Sequence, residues 1–388
     1  MHSSSRHGTY VTATLGGEDY RAFVPPPLPP TPPLLLDQGH HALLEHASYE
    51  LGRMNGIVAD LPERAPFVHL YTRKEALLSV QIGGAENSFQ DFLLLHGDEA
   101  NEIASDDARA ITNYVAALKY AIARLADGVA LSAALLQELH QQLTRSPPTD
   151  DIPTAFRDQQ LCVGGAEPAT ASYLPPPPAR LPALMQNLET FLRDQRQRRS
   201  ILIKAALVQG QLELIRPFAD GNGRLGRLLA LIVLYAGRVM DDPILCLSGY
   251  FKGHSRLYFD HLTRVRTEGN WEQWVSFFLK GIAESASKIA KAALAIGFMF
   301  KQDRRHIDRL GRAASSTHRM HQLLQSNPII SAPAAAHALG LSEPTIRACL
   351  KHLEKLEIVR ELTGKQRNRL FVYNRYFEIL NEGTAPLL

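Results

Sequence analysis

The stretch Ile215–Leu229, IRPFADGNGRLGRLL, concentrates the residue types that handle phosphate beside a run of aliphatics. Asp220, Gly221, Asn222 and Gly223 predict a tight turn. Its glycines let successive backbone N–H groups point into one concavity that suits an anion. The apolar run that follows predicts a helix, whose unpaired first N–H groups add positive potential. Arg224 and Arg227 are three residues apart, so they share one face of that helix. Their planar forks match phosphate oxygens. Asp220 can hold a divalent cation that bridges such oxygens. Together these residues predict a polyphosphate site with a metal, built by a loop and a helix start. The blander alternative is a buried capping loop whose arginines are paired with acids. The coincidence of acid, arginines and glycines at one helix start favours the functional reading over it.

The elements that must position this loop are mostly helical. SILIKAALVQGQLELI has apolar residues at positions 201, 202, 205, 208, 212 and 215, close to a helical period. Pro217 biases Arg216 away from helix and ends it. DDARAITNYVAALKYAIARLA and SAALLQELHQQLTR read as amphipathic helices, the second capped by Ser132. HALLEHASYELGRMNGIV reads as a helix ending near Asn55-Gly56. TRKEALLSVQIGGAENSFQDFLL reads as a helix broken at Gly83-Gly84, then a short one. Residues 146–182 lose periodicity, and Gly164-Gly165 suits a hairpin tip. Residues 1–36 lack helix signals and contain the extended tract FVPPPLPPTPPLLL, a rigid arm rather than a ligand for a proline-reading module. From about residue 312 the order is helix, short helix, capped helix from Ser342 and Glu343, then two strands around a basic turn, the pattern of a winged helix.

PFADGNGRLGR resembles the signature of Fic-domain proteins, H-P-F-x-D/E-G-N-G-R-x-x-R. FVPPPLP, TRKEALLSVQI, FRDQQLCVGG, ASYLPPPP, LSGYFKGHSRLYFDHL and NWEQWVSFFLKG extend the likeness to multi-domain bacterial Fic proteins over roughly residues 10–290. The resemblance implies an all-α Fic-type core with a small β-hairpin flap, joined to a C-terminal winged helix-turn-helix. It implies regulatory helices in 1–95, a core in 96–298 and the winged helix in 299–388. The implied activity is transfer of AMP from ATP to a Ser, Thr or Tyr hydroxyl of a target protein, with Mg. Asp220 matches the metal-holding acid and Arg224 and Arg227 the outer-phosphate arginines. Asn222 with the Gly221 and Gly223 backbone matches the phosphate cradle, and Phe218 and Tyr258 fall among the nucleotide-binding positions. Val163 and Gly164 fall in the flap that docks the target.

Two positions depart from the family pattern. Arg216 stands where the family has a general-base histidine. A guanidinium stays protonated and offers no acceptor lone pair, and loss of a general base commonly costs about 10²–10⁴-fold in rate. Ser79 to Gly84 matches the inhibitory motif S/T-x-x-x-E-G/N except that Gly83 replaces the acid. By resemblance, that acid pairs with the second signature arginine, here Arg227. A glycine within the helix also loosens it by roughly 1 kcal/mol against alanine. Gly83 thus releases the enzyme and Arg216 disarms it. A pseudoenzyme without need of a brake, a laboratory variant and a different chemistry at Arg216 all fit this pair. The expectation is an AMP-transferase fold with weak or absent catalysis. The alternatives are an inactive nucleotide-binding regulatory module and a DNA-binding regulator.

Composition sets the remaining bounds. The 388 residues carry a formal charge of only +3, with 45% hydrophobic and 21% charged residues, an ordinary globular balance. Cys162, Cys246 and Cys349 are too scattered for a disulfide framework or metal cluster. The start MHSSSRHGTYVTATLGGE has no signal-peptide core, and no apolar run is long enough to span a bilayer, so a cytoplasmic setting is expected. His140, beside Leu139 and Leu143, is expected to be structural, as are Trp271 and Trp274. His254 and His261 lack metal-ligand spacing. Lys351, Lys355, Arg360, Lys365, Arg367 and Arg369 make the tail locally basic, which suits DNA phosphates or a protein-docking or dimerising wing equally. Expected partners are a hydroxyl-bearing target protein, DNA through the tail, and a second copy of the chain.

Overall fold

The computed structural model describes residues 6–15, 18–95, 105–146, 155–194, 200–365 and 369–386. In chain order, a hairpin of β1 (Thr9–Leu15) and β2 (Glu18–Val24) precedes α1 (Gln38–Ala59), α2 (Arg64–Gln81) and α3 (Phe89–Leu95). Then come α4 (Asp106–Ala126), α5 (Ala133–Thr144), α6 (Leu181–Arg193), α7 (Ile201–Ile215) and α8 (Asn222–Ala236). They are followed by α9 (Leu247–Gly253), α10 (Ser255–Glu268) and α11 (Trp271–Asp308). The last part is α12 (Ala314–Ser326), β3 (Ile329–Ser331), α13 (Ala332–Leu339), α14 (Glu343–Lys355), β4 (Val359–Glu361), β5 (Leu370–Tyr373) and α15 (Asn374–Asn381). The chain divides into two compact units. One holds residues 1–52, 112–243 and 250–284, and the other holds 53–111, 244–249 and 285–388.

In the first unit, α7 is the central element. Its N-cap Ser200 accepts from Leu202 N, and Leu202 and every residue from Ala205 to Ile215 are buried. A helix that is apolar on all sides needs neighbours on all sides; α7 packs on α6, α8 and α10. Gly210 permits the closest approach. A Cβ there would lie 2.9 Å from Trp271 Cζ3 and 3.0 Å from Trp274 Nε1, while Trp274 Nε1 donates to Ala206 O at 2.7 Å. Both tryptophans are core residues, as their spacing predicts. The hairpin β1–β2 is antiparallel, with Thr9 opposite Val24 and Leu15 opposite Glu18. The sequence reading expects only an extended arm here, because TYVTATL and EDYRAFV are short and lie beside the proline tract.

In the second unit, α2 packs on α12 and α15. The buried Glu75 carboxylate accepts from the backbone N–H of Ser248, 3.1 Å away, and from its hydroxyl, 2.5 Å away. Gln81 Nε2 donates to Thr384 O and Asn87 O, both at 2.9 Å. Helix α2 starts at Arg64, before the expected Thr72, and ends at Gln81. Gly83 is therefore an exposed residue of the terminating turn, with Gly84 at φ +100°. The helix-loosening cost expected of Gly83 does not apply there. Helix α1 likewise continues through Asn55-Gly56 to Ala59. The winged helix forms as its pattern predicts. Ser331 caps α13, Ser342 caps α14, and β4 pairs with β5. Strand β3 adds a third, unexpected strand in the order β3-β5-β4. Arg367 lies outside the described residues.

Candidate active site

The site begins where α7 stops. Arg216 follows the last helical residue and adopts a left-handed conformation (φ 46°, ψ 67°), with its N–H still donating to Leu212 O at 2.9 Å. A non-glycine residue rarely sits there, and Arg157 holds it in place. Arg157 Nε donates to Arg216 O at 2.8 Å, Nη1 to Gln159 O at 2.9 Å and Nη2 to Pro176 O at 2.5 Å. Its backbone N–H donates to Pro217 O at 2.9 Å. One buried side chain thus ties the segment before the flap, the segment after it and the central loop together. Burial lowers its pKa to about 10, still well above neutrality.

The loop is closed by Asn222. Its Oδ1 accepts from Phe218 N at 2.9 Å and its Nδ2 donates to Phe218 O at 2.7 Å. The amide is engaged within the loop. Gly221, at φ 75°, opens α8. The Phe218 ring is buried and stacks on His140 at 3.8 Å with an interplanar angle of 4°. His140 Nε2 donates to Asp220 O at 3.0 Å, and burial lowers its pKa. Its Nδ1 is buried, with no partner among the described residues. His140 is thus a structural histidine that fixes the acidic end of the loop.

The expected cationic side chains do converge on this cradle. A Cβ on Gly221 would meet Arg224 Nη2 at 3.6 Å, and one on Gly223 would meet Arg227 Nη1 at 3.1 Å. Glycine at both positions keeps room between the backbone donors and the guanidiniums. Each arginine also has an acid. Arg224 Nη2 lies 3.2 Å from Asp220 Oδ2 and Arg227 Nη1 lies 3.9 Å from Glu213 Oε1. Arg216 Nη2 is 3.6 Å from Glu213 Oε2. Arg216 Nε is buried and has no hydrogen-bond partner among the described residues. The pairings of the capping-loop alternative are therefore present, with both guanidiniums close to the two glycines. Burial lowers the Arg224 pKa, offset by Asp220 and reinforced by Arg227.

Tyr258, placed by resemblance among the nucleotide-binding positions, is fully buried. Its hydroxyl donates to Glu213 Oε1 at 2.9 Å and accepts from Gln209 Nε2 at 3.3 Å. Burial first, and the Glu213 charge second, raise its pKa far out of reach. In the flap, Val163 and Tyr173 form a single antiparallel bridge. Gly164 is at φ 72°, and a Cβ on it would fall 2.3 Å from Ser172 Oγ. The Tyr173 hydroxyl donates to Leu214 O and Arg266 lies over its ring at 4.7 Å. Ser79 is buried in α2 of the other unit and Gly83 follows that helix.

A magnesium ion fits the loop as a phosphate-bound ion. The Asp220 side chain is 88% exposed beside Arg224, and magnesium commonly takes one or two carboxylates plus substrate phosphates and water. No group of three or more His, Cys, Asp or Glu among the described residues could hold a metal alone.

The sequence reading does not single out Glu213, Arg157 or Arg266. Glu213 is on the last turn of α7, three residues before the Arg216 that caps it, a spacing at which two side chains can meet. Arg157 and Arg266 come from remote segments, and no spacing rule joins them to the loop.

Residues 130–234 match the Fic/DOC family, residues 41–123 that family's N-terminal region, and residues 316–360 a winged helix-turn-helix DNA-binding family. A probable protein adenylyltransferase of Aquifex aeolicus is 26% identical over 194 residues, spanning 48% of this chain and 54% of that one. The protein adenylyltransferase Fic of Aedes aegypti is 33% identical over 185 residues, 46% of this chain and 32% of that one. The chain thus covers between a third and about half of these curated relatives. The crystal structure of a Fic family protein from Desulfovibrio desulfuricans covers 88% of this chain and 98% of that one at a TM-score of 0.58 and 17% identity, a likeness of fold. No helix of the described residues is long and apolar enough to cross a membrane.

Proposed function

We propose, from the premise that the chain carries a Fic/DOC family domain, that family's N-terminal region and a winged helix, that it binds ATP at the Gly221–Arg227 helix start and is impaired in AMP transfer. The N-terminal part to residue 95 would be regulatory, 96–298 the core and 299–388 the winged helix. The observation that carries the reading is the cradle. Two glycines at the start of α8 face the guanidiniums of Arg224 and Arg227, with Asp220 at its edge. Relatives named as protein adenylyltransferases support AMP as the group transferred.

In such a transfer the target hydroxyl oxygen forms a bond to the α-phosphorus, the bond to the leaving pyrophosphate breaks, and the hydroxyl proton must go to a base. The Gly221 and Gly223 backbone and Arg224 hold the phosphates. Arg227 holds the outer one, where charge accumulates on the leaving group. Asp220 would hold a magnesium ion, which would offset negative charge on the phosphates. The proton has no acceptor at Arg216, whose guanidinium is cationic and lies beside Glu213. Val163 and Gly164 would present the flap edge to the target segment, and Gly83 leaves the family's inhibitory acid position empty of charge.

Calorimetry with magnesium and ATP tests the binding. Micromolar association that Arg227→Ala weakens at least tenfold is expected, and a folded chain that takes no nucleotide rejects the reading. Arg216→His is expected to raise labelled-AMP transfer to the chain or a partner by about 10²-fold or more. A variant that binds ATP as before yet transfers nothing counts against the assignment of position 216.

A second reading rests on the winged helix, which we place on DNA. Arg347, Lys351 and Lys355 are exposed on α14, whose buried face is Ile346, Cys349, Leu350 and Leu353. Arg347 pairs with Glu343 at 2.6 Å.

A further inference from the structure

We infer that Glu213 is a fixed counter-anion within the phosphate site, and that its charge sets how tightly the cleft takes the outer phosphates of a nucleotide. The inference rests on the nucleotide reading of that cleft and concerns a residue that neither the loop motif nor its turn contains. Glu213 lies on the last turn of α7, with a side chain only 4% exposed. A carboxylate so buried needs partners. It has one true hydrogen bond, from the Tyr258 hydroxyl at 2.9 Å, and Gln209 orients that hydroxyl from behind.

Its other contacts are charges. Arg216 Nη2 stands 3.6 Å from one oxygen and Arg227 Nη1 3.9 Å from the other. Both exceed hydrogen-bond length, so the coupling is Coulombic rather than directional. The carboxylate also faces the cradle itself. A Cβ on Gly223 would meet Glu213 Oε1 at 3.4 Å, and one on Gly226 at 3.7 Å. Tyr258 and Gln209, both fully buried, leave the carboxylate no room to turn away.

The geometry has one consequence for a ligand. A phosphate seated on Arg227 shares that guanidinium with the Glu213 carboxylate, 3.9 Å from Nη1. At such a separation, in partly buried surroundings, one negative charge alters the affinity for a multiply charged anion by about tenfold or more. Three guanidiniums, of Arg216, Arg224 and Arg227, face two carboxylates, Glu213 and Asp220. Removing Glu213's charge shifts that balance further towards the anion. A ligand with a single phosphate carries less charge and has no outer phosphate to seat on Arg227, so it registers the change more weakly.

The test is titration of the full chain with ATP plus magnesium, and separately with AMP. Glu213→Gln keeps an acceptor for Tyr258 and deletes the charge. About tenfold tighter ATP binding with a clearly smaller change for AMP is expected. Glu213→Met deletes the charge without placing new donors near the arginines, so it covers a poorly folding glutamine variant and should act in the same direction. ATP binding that is unchanged or weaker in both folded variants, while Arg227→Ala still weakens it, overturns the role of Glu213 and leaves the nucleotide site standing. Absence of ATP binding in the parent and in both variants overturns the nucleotide site and this inference with it. Equal tightening for ATP and AMP also overturns it, because charge at the outer phosphate cannot produce that result.

Discussion

At the scale of single residues, the loop's shape depends on groups that do not touch ligand. Arg216 is left-handed, and its carbonyl is held by Arg157, which also binds Gln159 and Pro176. Arg157→Met removes charge-assisted donors from three carbonyls, each bond worth roughly 1.5–3 kcal/mol. A stability loss of about 3 kcal/mol is expected, read as a lower denaturant midpoint, since partial solvation recovers some of the loss. Arg157→Lys should recover little, because an ammonium cannot span three divergent carbonyls as a planar fork does. If both variants unfold at the parent midpoint, Arg157 does not hold the loop.

At the scale of elements, close approach and capping decide stability. Gly210 brings α7 against the indoles of Trp271 and Trp274, where a Cβ would fall within 3.0 Å of ring atoms. Gly210→Ala raises intrinsic helix propensity by roughly 1 kcal/mol, yet overpacking typically costs about 1–3 kcal/mol. Those rings are fully buried and one is anchored to Ala206 O, so the clash is expected to win. Net destabilisation of about 1 kcal/mol should appear in chemical unfolding, and a more stable variant would show that the helices can part at no cost. On α14, the Ser342 hydroxyl accepts from Thr345 N at 3.4 Å. Substituting such a cap by alanine costs about 1 kcal/mol.

At the scale of the whole molecule, a directed polar network in the second unit joins the end of α11 to α12 and β5. Gln325 Nε2 donates to His321 Nδ1 at 3.3 Å, His321 Nε2 donates to the Tyr373 hydroxyl at 3.0 Å, and that hydroxyl donates to Asp303 Oδ2 at 2.5 Å. Burial lowers the His321 pKa to about 4, aided by Arg304 and His318. The unfolded chain protonates this histidine near pH 6.5, while the folded one resists until about 4. Stability from His321 is therefore complete above pH 6.5 and falls as pH drops towards 4, by about 1.4 kcal/mol per unit. Asp303, whose burial raises its pKa, acts in the opposite direction at lower pH. Comparing denaturant midpoints of the parent and His321→Gln at pH 7 and pH 5 isolates the histidine. The parent should lose more on acidification, and equal losses would remove His321 as the cause. On DNA, the winged helix should bind with an affinity that falls steeply with salt, and Lys351→Ala or Lys355→Ala should shallow that dependence by about one phosphate contact each. Binding indifferent to salt and to both lysines would point to a protein partner.

The sequence by itself determined the helical class and the winged helix, because these depend on local period and capping within short stretches, and it set the residue types and spacing of Asp220–Arg227 on which the phosphate reading rests. It also determined that position 216 has no base, since a guanidinium's chemistry does not depend on its surroundings. Only the tertiary structure decided that Asn222 closes the loop on Phe218, that Tyr258 is buried against Glu213, and that Glu213 neutralises part of the arginines' charge. The same holds for the hairpin β1–β2 and for Arg157, whose partner Arg216 lies far from it in the chain. Burial and charge pairing are set by which segments meet across the fold, and residue spacing along one helix carries no record of what packs against it.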